Sequence, residues 1–547
     1  ISWDSTRYEY YGLTPLGMEA RAALLAEIAT YTDARVIITV GASSTFALTG
    51  RVPITKMRGS PLQVPGLPLI LPTLHPAGVL RGQYLHRFDI LMDLRKAVEM
   101  AAPGFKLPAR TLLHSPTLDE VFYHLGLLRR SQLAAFDIET VGNEIACIAF
   151  ASRPDWAISI PFFGHFGADE PRVREAVGAL LADPKVAKLA HNIVFDRTML
   201  ERDGYTFAGR CEDTMVLHAI AHPEVGAIKG NTLNALCAKY TFEPFYKEDG
   251  KESRRLGDFA QLREYNCKDA AVTMEVWEKT IDIREDPAYM AMYEYTMTML
   301  DPTLAMTHRG LLIDAARRDT AIAAHDAVLA ATLRSLEVAA GRPVKPLSNK
   351  DCAALFYTEM GFKAFTRSRK GQDGEHSSTV TADDDALARL AAGTAGRPPV
   401  EAARIIQDYR RIKKERDYLA APLDADGRHR SSYRLRGTVS GRFSTAGTLW
   451  DTGGPHQIVP PAFQGIVIPS PGHFFWAIDK AKAEWAAVAL ESGDLNMLQC
   501  LGEGRDPYAW TAHLATGLPY EIVLAEAKAG KGLTNPDDFR RLRERWP

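Results

Sequence analysis

A short buried strand that ends in two acidic residues constrains this chain more than any other feature. Residues 135–140 read AFDIET, so apolar side chains lead into Asp137 and Glu139. Side chains two residues apart on a strand project from the same face, so both carboxylates lie on one side. Two acids so close repel each other unless a cation lies between them. The alternative is a strand end whose acids cap a loop or contact water.

Two later segments, reading NIVFD and YNCKD, place further acids where they can join this pair. If the first opens a helix, Asn192 and Asp196 share one helix face, and Tyr265 and Asp269 do the same in the second. Oxygen ligands without a nearby Cys or His cluster suit Mg²⁺ or Mn²⁺ rather than Zn²⁺. Two such ions about 3.5–4 Å apart can activate water and stabilise the leaving oxygen of a phosphodiester.

These segments, in this order, resemble the three exonuclease motifs of the DnaQ-like 3′–5′ proofreading family, in the form fused to family A (Pol I-like) DNA polymerases. The motifs are D-x-E, N-x-x-x-D and Y-x-x-x-D. The resemblance implies two Mg²⁺ or Mn²⁺ ions held by the four acids, and contact of Asn192 with DNA. The implied catalytic residues are Asp137, Glu139, Asp196, Tyr265 and Asp269.

Composition sets the broad class of protein. A chain of 547 residues is too long for one ordinary domain. It has no apolar run of about 18 residues and no secretory signal, so we expect neither a membrane span nor export. The six cysteines are scattered, which favours free thiols in a cytoplasm, either bacterial or of a phage-infected host. The net charge of −2 leaves nucleic-acid binding to local basic patches.

Residues 1–103 predict an α/β unit with a parallel sheet, because predicted strands over 35–41 and 69–77 alternate with helices. Function in such sheets lies at the carboxyl ends of the strands, where His75 stands.

The sequences VGA, KMRG and PTLHPA of this unit resemble the C-terminal half of the uracil-DNA glycosylase superfamily. The resemblance implies that His75 would stabilise charge developing on uracil. The half with the water-activating motif would lie before Ile1, so we expect no uracil excision. The alternative for His75 is an inert, hydrogen-bonded loop histidine.

Residues 104–283 predict the exonuclease domain, with the mixed sheet of a ribonuclease H-like fold. Predicted strands cover residues 133–138, 145–151, 156–161 and 188–192. A helix over 232–240 is expected beneath the site. We interpret Asp213 either as a structural residue or as one that supports the metal ligands from behind.

Residues 284–547 change to long helices and resemble the thumb and palm of family A DNA polymerases. The turn RGLLID matches the entrance to that module, and a charged helix spans 401–419. Its charge run alone is typical of a solvated helix face. The resemblance instead makes it a thumb helix that binds DNA phosphate through Arg410, Arg411, Lys413 and Lys414.

The palm resemblance rests on three shorter motifs. GTVSGRFS places Arg442 near DNA phosphate, and HQIVP is a loose match that assigns Gln457 to DNA binding. FFWAIDKAKAE resembles polymerase motif A, a strand followed by a helix. It implies that Asp479 binds metal and that Glu484 contacts the incoming nucleotide. The later polymerase motifs would follow Pro547, so we expect a truncated module.

The sequence therefore predicts a multidomain α/β protein: a partial glycosylase-like sheet, an exonuclease domain, a helical thumb and an incomplete palm. The expected function is that of a family A DNA polymerase with proofreading, in DNA replication or repair. Expected partners are single-stranded 3′ ends and primer–template DNA, with deoxynucleotides in the full-length protein. The alternatives are a free-standing 3′–5′ exonuclease with a DNA-binding helical domain, and a non-catalytic DNA-binding protein.

Overall fold

Packing divides the chain into two compact units, Ile1–Ile468 and Pro469–Pro547. The computed structural model describes residues 14–51, 54–225, 230–370, 376–393, 397–448 and 450–528. Both predicted domain boundaries, at 103/104 and 283/284, fall inside the first unit and stay predictions. The outer ends of the predicted first and third domains, residues 1–13 and 529–547, lie outside the described residues.

The first hundred residues form a small α/β layer. Strands β1 (Val36–Val40) and β2 (Leu69–Thr73) pair in parallel, as predicted, although β2 ends four residues earlier than expected. The helices of this layer are Pro15–Ile28, Ala42–Thr49, Ile54–Met57, Ala77–Leu80 and His86–Ala101.

A buried lysine fastens this layer to the next part of the chain. The ammonium of Lys96 donates to the carbonyls of Gly59, Ala238 (2.7 Å) and Thr241 (2.5 Å). Lys96 is only 5% exposed, and this burial lowers its pKa to about 8. Gly59 has a φ of +72°, and an added Cβ there would lie 2.8 Å from the Ala238 carbonyl oxygen. Only a residue without a side chain allows this approach.

A six-stranded mixed sheet forms the centre of the first unit, as predicted. Its order is β3-β6-β5-β4-β7-β8, with β4 antiparallel to β5 and parallel to β7. The strands are β3 (Thr111–Leu113), β4 (Leu133–Val141), β5 (Glu144–Arg153), β6 (Trp156–Pro161), β7 (Ala187–Ala190) and β8 (Cys211–Asp213). The strand predicted over 188–192 is therefore shorter, because Asn192 leaves the extended conformation with a φ of 69° and caps the following helix.

Helices cover this sheet and bury its apolar side chains. The longest, Phe259–Lys279, packs across β4, β5 and β6. The predicted helix over 232–240 forms at Leu233–Tyr240 and is capped by the Thr232 hydroxyl. The other helices here are Leu118–Leu128, Glu170–Leu181, Ile193–Arg202, Thr214–Ala221, Asp249–Leu256, Ile281–Glu285, Pro287–Met297 and Leu300–Arg309.

The rest of the first unit is dominated by two long helices that pack together, Ala315–Ala340 and Glu401–Leu419. Shorter helices are Asn349–Ala353, a π-helix at Ala354–Glu359, Asp384–Ala392 and Pro461–Gln464. Three small sheets are built from β9 (Leu311–Ile313), β10 (Thr366–Lys370), β11 (His376–Val380), β12 (Arg428–His429), β13 (Ser432–Arg434), β14 (Ser444–Ala446) and β15 (Val467–Ile468).

The second unit is helical in its described residues. Its helices are Ala483–Ser492, Leu495–Gly502, Pro507–Thr516 and Tyr520–Lys528. The strand predicted before Asp479 is wrong, since residues 473–480 form neither helix nor strand. A strand needs a neighbour for its backbone hydrogen bonds, and the described part of this unit offers no other strand. Trp476 and Ile478 are accordingly exposed.

The six cysteines are free thiols, as predicted. Among the described residues, no helix is both long enough and apolar enough to span a bilayer.

The Lys96 contacts predict a measurable coupling between the first layer and the sheet. We expect Lys96→Met to lower the free energy of unfolding by about 1–3 kcal/mol, because it leaves buried carbonyls without a donor. Thermal unfolding followed by circular dichroism measures this. The exposed Lys106 supplies the control Lys106→Met, and equal melting curves for the two variants would contradict the assignment.

Candidate active site

Strand β4 places the first two acids. Asp137 and Glu139 project from one face, while Phe136 and Ile138 are buried on the other. The β4–β5 register shifts between Glu139 and Thr140, a bulge directly after the second acid. Bulges bend a strand and redirect its side chains, which suits a site at the end of the pairing.

Three carboxylates meet at this point. Asp137, Glu139 and Asp269 each offer an oxygen, and the three oxygens lie within 4.8 Å of one another. Glu139 and Asp269 are only 4% and 6% exposed. The sequence prediction that D-x-E converges with the acid of the YNCKD segment therefore agrees with the geometry.

Asp196, the fourth predicted acid, lies beside this cluster and outside the three-oxygen group. It is buried in the first turn of Ile193–Arg202 and accepts a 3.2 Å hydrogen bond from the Ile138 N–H. Burial raises its pKa, and the charges of Asp213 and Glu139 raise it further. Asp196 is thus part of the same acidic environment, attached to the backbone between the two acids of β4.

Asp213 has the structural role that we assigned to it. Its carboxylate accepts from the N–H groups of Asn192 (3.1 Å) and Ile193 (2.9 Å) and caps the helix Thr214–Ala221. The Asn192 backbone is held in its left-handed conformation by this contact. Asp213 therefore sets where the helix that carries Asp196 begins.

The helix Phe259–Lys279 delivers the remaining residues from one face. Tyr265 and Asp269 lie one turn apart, as their spacing predicts. Asn266, which the motifs do not include, donates to the Asp137 carboxylate (2.8 Å) and backbone carbonyl (3.0 Å). Its own side-chain oxygen accepts from Ser159 at 2.8 Å. Asn266 thus holds Asp137 in a set orientation.

Three further residues reach the cluster from the segment 246–254, and sequence reasoning missed all of them. The Tyr246 hydroxyl donates to Asp269 at 2.6 Å, and the Lys247 ammonium contacts both oxygens of Asp269. The Arg254 guanidinium donates to Glu139. The only sequence signal is a basic stretch, KEDGKESRR, near an expected acidic site. Nothing local in it shows which side chains turn inward.

Burial and mutual repulsion govern the charges here. Desolvation raises the pKa of Asp137 well above its usual value, and Asp269, Glu139 and Asp196 add to the rise. Desolvation also raises the pKa of Glu139 to about 7, against the opposing effect of Arg254. Burial and nearby carboxylates raise the pKa of Tyr265, so its hydroxyl stays protonated. Cations relieve this repulsion, and the hard oxygen donors fit a divalent ion such as Mg²⁺ or Mn²⁺.

The predicted phosphate-binding helix, Glu401–Leu419, has two kinds of basic residue. Arg410 donates to the carbonyls of Pro346 (2.9 Å) and Ala382 (3.0 Å), so its guanidinium holds the helix within the unit. Arg411 is exposed and pairs with Asp408 and Glu415 along its own helix. Lys413 pairs with Asp417, and Lys414 is exposed.

The other predicted polymerase residues are at the surface. Arg442 is exposed, and its N–H donates to the Thr438 hydroxyl at 3.0 Å. Gln457 is exposed and donates to the Phe443 carbonyl at 2.7 Å. In the second unit, Asp479 is exposed in an irregular segment, and Glu484 lies in the first turn of Ala483–Ser492.

His75 follows β2 at the carboxyl end of the parallel pair, as predicted. Its Nδ1 accepts from the Ala77 N–H at 3.1 Å, and the side chain is exposed. A Cβ on Gly41 would lie 3.1 Å from the His75 Cβ, so the VGA and LHPA turns touch. The role of His75 stays a prediction.

Comparison with known proteins matches the part of the chain that carries the acidic cluster. A family model described as 3′–5′ exonuclease matches residues 127–280. Residues 127–280 are therefore similar to a 3′–5′ exonuclease domain. The matched residues include Asp137, Glu139, Asp196, Tyr265 and Asp269.

Two individual proteins extend the likeness beyond this domain. DNA polymerase I of Rhizobium leguminosarum is 25% identical over 361 residues, which are 64% of this chain and 34% of the relative. The chain thus spans about a third of the length of that curated relative. The POL domain of Pol1 from M. smegmatis, in complex with DNA primer-template and dNTP, has a TM-score of 0.56 at 17% identity. That likeness covers 79% of this chain and 70% of the other, and shows a shared fold. Together, the comparisons show similarity to 3′–5′ exonucleases over residues 127–280 and to DNA polymerase I over a longer part of the chain.

The Asn266 contacts generate a test of the exonuclease domain. We expect Asn266→Ala to slow removal of 3′-terminal nucleotides about 10–100-fold, because residues that orient metal ligands have effects of this size. A gel assay on a labelled single strand measures the rate. Asn234 donates to the Lys56 carbonyl, and neither residue is near β4 in the sequence. Asn234→Ala is therefore the control. Equal rates in both variants would show that Asn266 does not position Asp137.

Proposed function

We propose that this chain removes nucleotides from DNA 3′ ends by metal-dependent hydrolysis, as the proofreading part of a family A DNA polymerase. The observation that carries the proposal is the meeting of three carboxylates from β4 and from Phe259–Lys279 within 4.8 Å. They lie inside the region that matches the exonuclease family. A buried acid cluster of this kind favours catalysis over the alternative of a non-catalytic DNA-binding protein.

In this proposal, Asp137, Glu139 and Asp269 hold two divalent ions, with Asp196 as the fourth ligand. When bound, such ions supply an activated water and stabilise the leaving oxygen of a phosphodiester. The chain's own residues prepare the site. Asn266 orients Asp137, and the Ile138 N–H orients Asp196.

Tyr265 has a defined part in this scheme. Its hydroxyl oxygen accepts a 3.1 Å hydrogen bond from Lys247, and a hydrogen bond with Asp269 directs its own proton toward the cluster. Because the pKa of Tyr265 is raised, that proton stays in place at neutral pH. We propose that the hydroxyl donates to the attacking water or to the phosphate and so orients it.

The proposed substrate is the single-stranded 3′ end of DNA, reached from a primer–template that the polymerase-like part binds. The proposed DNA contacts are Arg411, Lys413, Lys414, Arg442 and Gln457. We leave Arg410 out because its donors are used inside the fold.

Asn192 is proposed to contact the 3′ end. Asp479 and Glu484 are proposed to serve metal and nucleotide binding, and a role in DNA replication or repair follows from the likeness to DNA polymerase I.

The proposed domain division is 1–103, 104–283 and 284–547. The first domain, with His75, is proposed to descend from the glycosylase superfamily. Its parallel pair β1–β2 and the approach of Gly41 to His75 support this.

The exonuclease assignment depends most directly on Asp137. We expect Asp137→Ala to lower the rate of 3′-end digestion at least about a hundredfold, because a metal ligand supports several kcal/mol of transition-state stabilisation. The measurement is release of 5′-mononucleotides from single-stranded DNA with Mg²⁺ or Mn²⁺. Asp155 is exposed and pairs with Arg153, so Asp155→Ala is the control. Unchanged digestion by folded Asp137→Ala protein would rule out the assignment.

DNA binding by the long helix has its own test. We expect the double variant Arg411→Ala/Lys414→Ala to weaken primer–template binding and to reduce the salt slope of affinity by about 1 per lost phosphate contact. Fluorescence anisotropy at several salt concentrations measures both quantities. The control Arg153→Ala/Lys185→Ala removes two exposed positive charges elsewhere. If both double variants keep the wild-type slope, this helix does not bind the phosphates.

A further inference from the structure

Two cations from one segment of the chain enter the acidic cluster. The Lys247 Nζ lies 2.5 Å from Oδ1 and 2.6 Å from Oδ2 of Asp269. The Arg254 guanidinium forms an ion pair with Glu139. Asp269 and Glu139 are two of the three acids whose oxygens converge. The chain thus brings its own positive charges to the atoms that would hold a metal ion.

Lys247 is held in place from several sides. Its ammonium lies 4.9 Å from the ring centres of both Tyr246 and Tyr265, and it donates to the Tyr265 hydroxyl. Its side chain is 15% exposed. A lysine on a mobile surface loop does not combine two ring contacts with both oxygens of one carboxylate. The contact with Asp269 is therefore a built feature of the site.

The segment that leads to Lys247 is itself fixed to the rest of the first unit. Lys96 binds the carbonyls of Ala238 and Thr241. Glu243 pairs with Arg110 at 2.7 Å with both side chains buried. These contacts lie on the residues just before Tyr246, so the chain enters the cluster from a rigid support.

A divalent ion and the Lys247 ammonium need the same lone pairs. The Lys247 ammonium already contacts both carboxylate oxygens of Asp269. A divalent ion bound to Asp269 would therefore lie close to this ammonium, and the two positive charges would repel each other. At Glu139, Arg254 contacts one carboxylate oxygen, and a divalent ion on that oxygen would meet the same repulsion. A carboxylate oxygen can therefore contact either its basic partner or a metal ion, but not both at once.

We propose that Lys247 and Arg254 are internal counter-ions that compete with divalent metal ions for Asp269 and Glu139 and yield these acids when the ions bind. They keep buried acids paired in the absence of metal, at the cost of weaker apparent metal affinity. This inference rests on the proposed function in taking the cluster as a metal site. It adds that the chain itself sets the affinity of that site.

The test is Mn²⁺ binding by the full 547-residue chain, measured without substrate by isothermal titration calorimetry. We expect Lys247→Met to bind Mn²⁺ about tenfold more tightly than wild type, since a charge-assisted competitor is removed. Arg254→Met should shift affinity in the same direction by less, because its side chain is 42% exposed. In EDTA, Lys247→Met should melt at lower temperature, and Mn²⁺ should raise its melting temperature more than it raises that of wild type.

The chain offers a matched control for each variant. Lys268 adjoins Asp269 in sequence but pairs with Glu264, and Arg255 adjoins Arg254 but pairs with Glu252. Lys268→Met and Arg255→Met remove the same charge from side chains that pair outside the three acids, although the Lys268 ammonium also lies 5.8 Å from the Tyr246 ring centre. They should leave Mn²⁺ affinity near the wild-type value.

The outcomes separate this inference from the proposed function. If wild type binds Mn²⁺ and Lys247→Met binds it no more tightly than Lys268→Met does, the counter-ion inference is wrong and the exonuclease proposal stands. If wild type binds no Mn²⁺ at the cluster, the proposed metal site itself is wrong. Should Lys247→Met fail to fold, Arg254→Met compared with Arg255→Met decides the inference by the same criterion.

Discussion

The repulsion between buried carboxylates is the constraint on which the rest of this structure depends. Asp137, Glu139 and Asp269 bring three oxygens within 4.8 Å, with Asp196 beside them. Burial raises the pKa of Asp137 and of Glu139, and the neighbouring carboxylates raise both further. The surrounding residues supply hydrogen-bond donors to these acids: an amide, a backbone N–H, two basic side chains and a tyrosine hydroxyl.

The cluster lies at the centre of the six-stranded sheet, where it is packed on several sides. Strand β4 is central in the six-stranded sheet, and the helix Phe259–Lys279 crosses three of its strands. Apolar side chains between them hold the acids at fixed separation. The α/β layer of the first hundred residues contributes from further away, because Lys96 fastens it to the segment before Tyr246. This layer is thus linked structurally to the acidic cluster.

Basic side chains have different partners around β4 and on the helix Glu401–Leu419. Around β4, basic residues point inward and compensate buried acids. On Glu401–Leu419, Arg411 and Lys413 pair along the helix, which suits a surface that exchanges these partners for DNA phosphate. Arg410 and Arg416 instead bind neighbouring segments, Arg410 through backbone carbonyls and Arg416 through Asp326.

The sequence by itself determined the features that depend on neighbouring residues. The apolar lead into Asp137 and Glu139 predicted the strand, and the four-residue spacing of Tyr265 and Asp269 predicted their shared helix face. Tertiary structure alone decided the long-range partners. Arg254 meets Glu139 across 115 residues of chain, and Asn266 meets Asp137 across 129. It also turned Arg410 inward and left residues 473–480 without a strand. Side-chain periodicity is a local property that a sequence displays directly. The partner of a buried charge or of a strand edge depends on which distant segment packs there, and that is settled only when the whole unit folds.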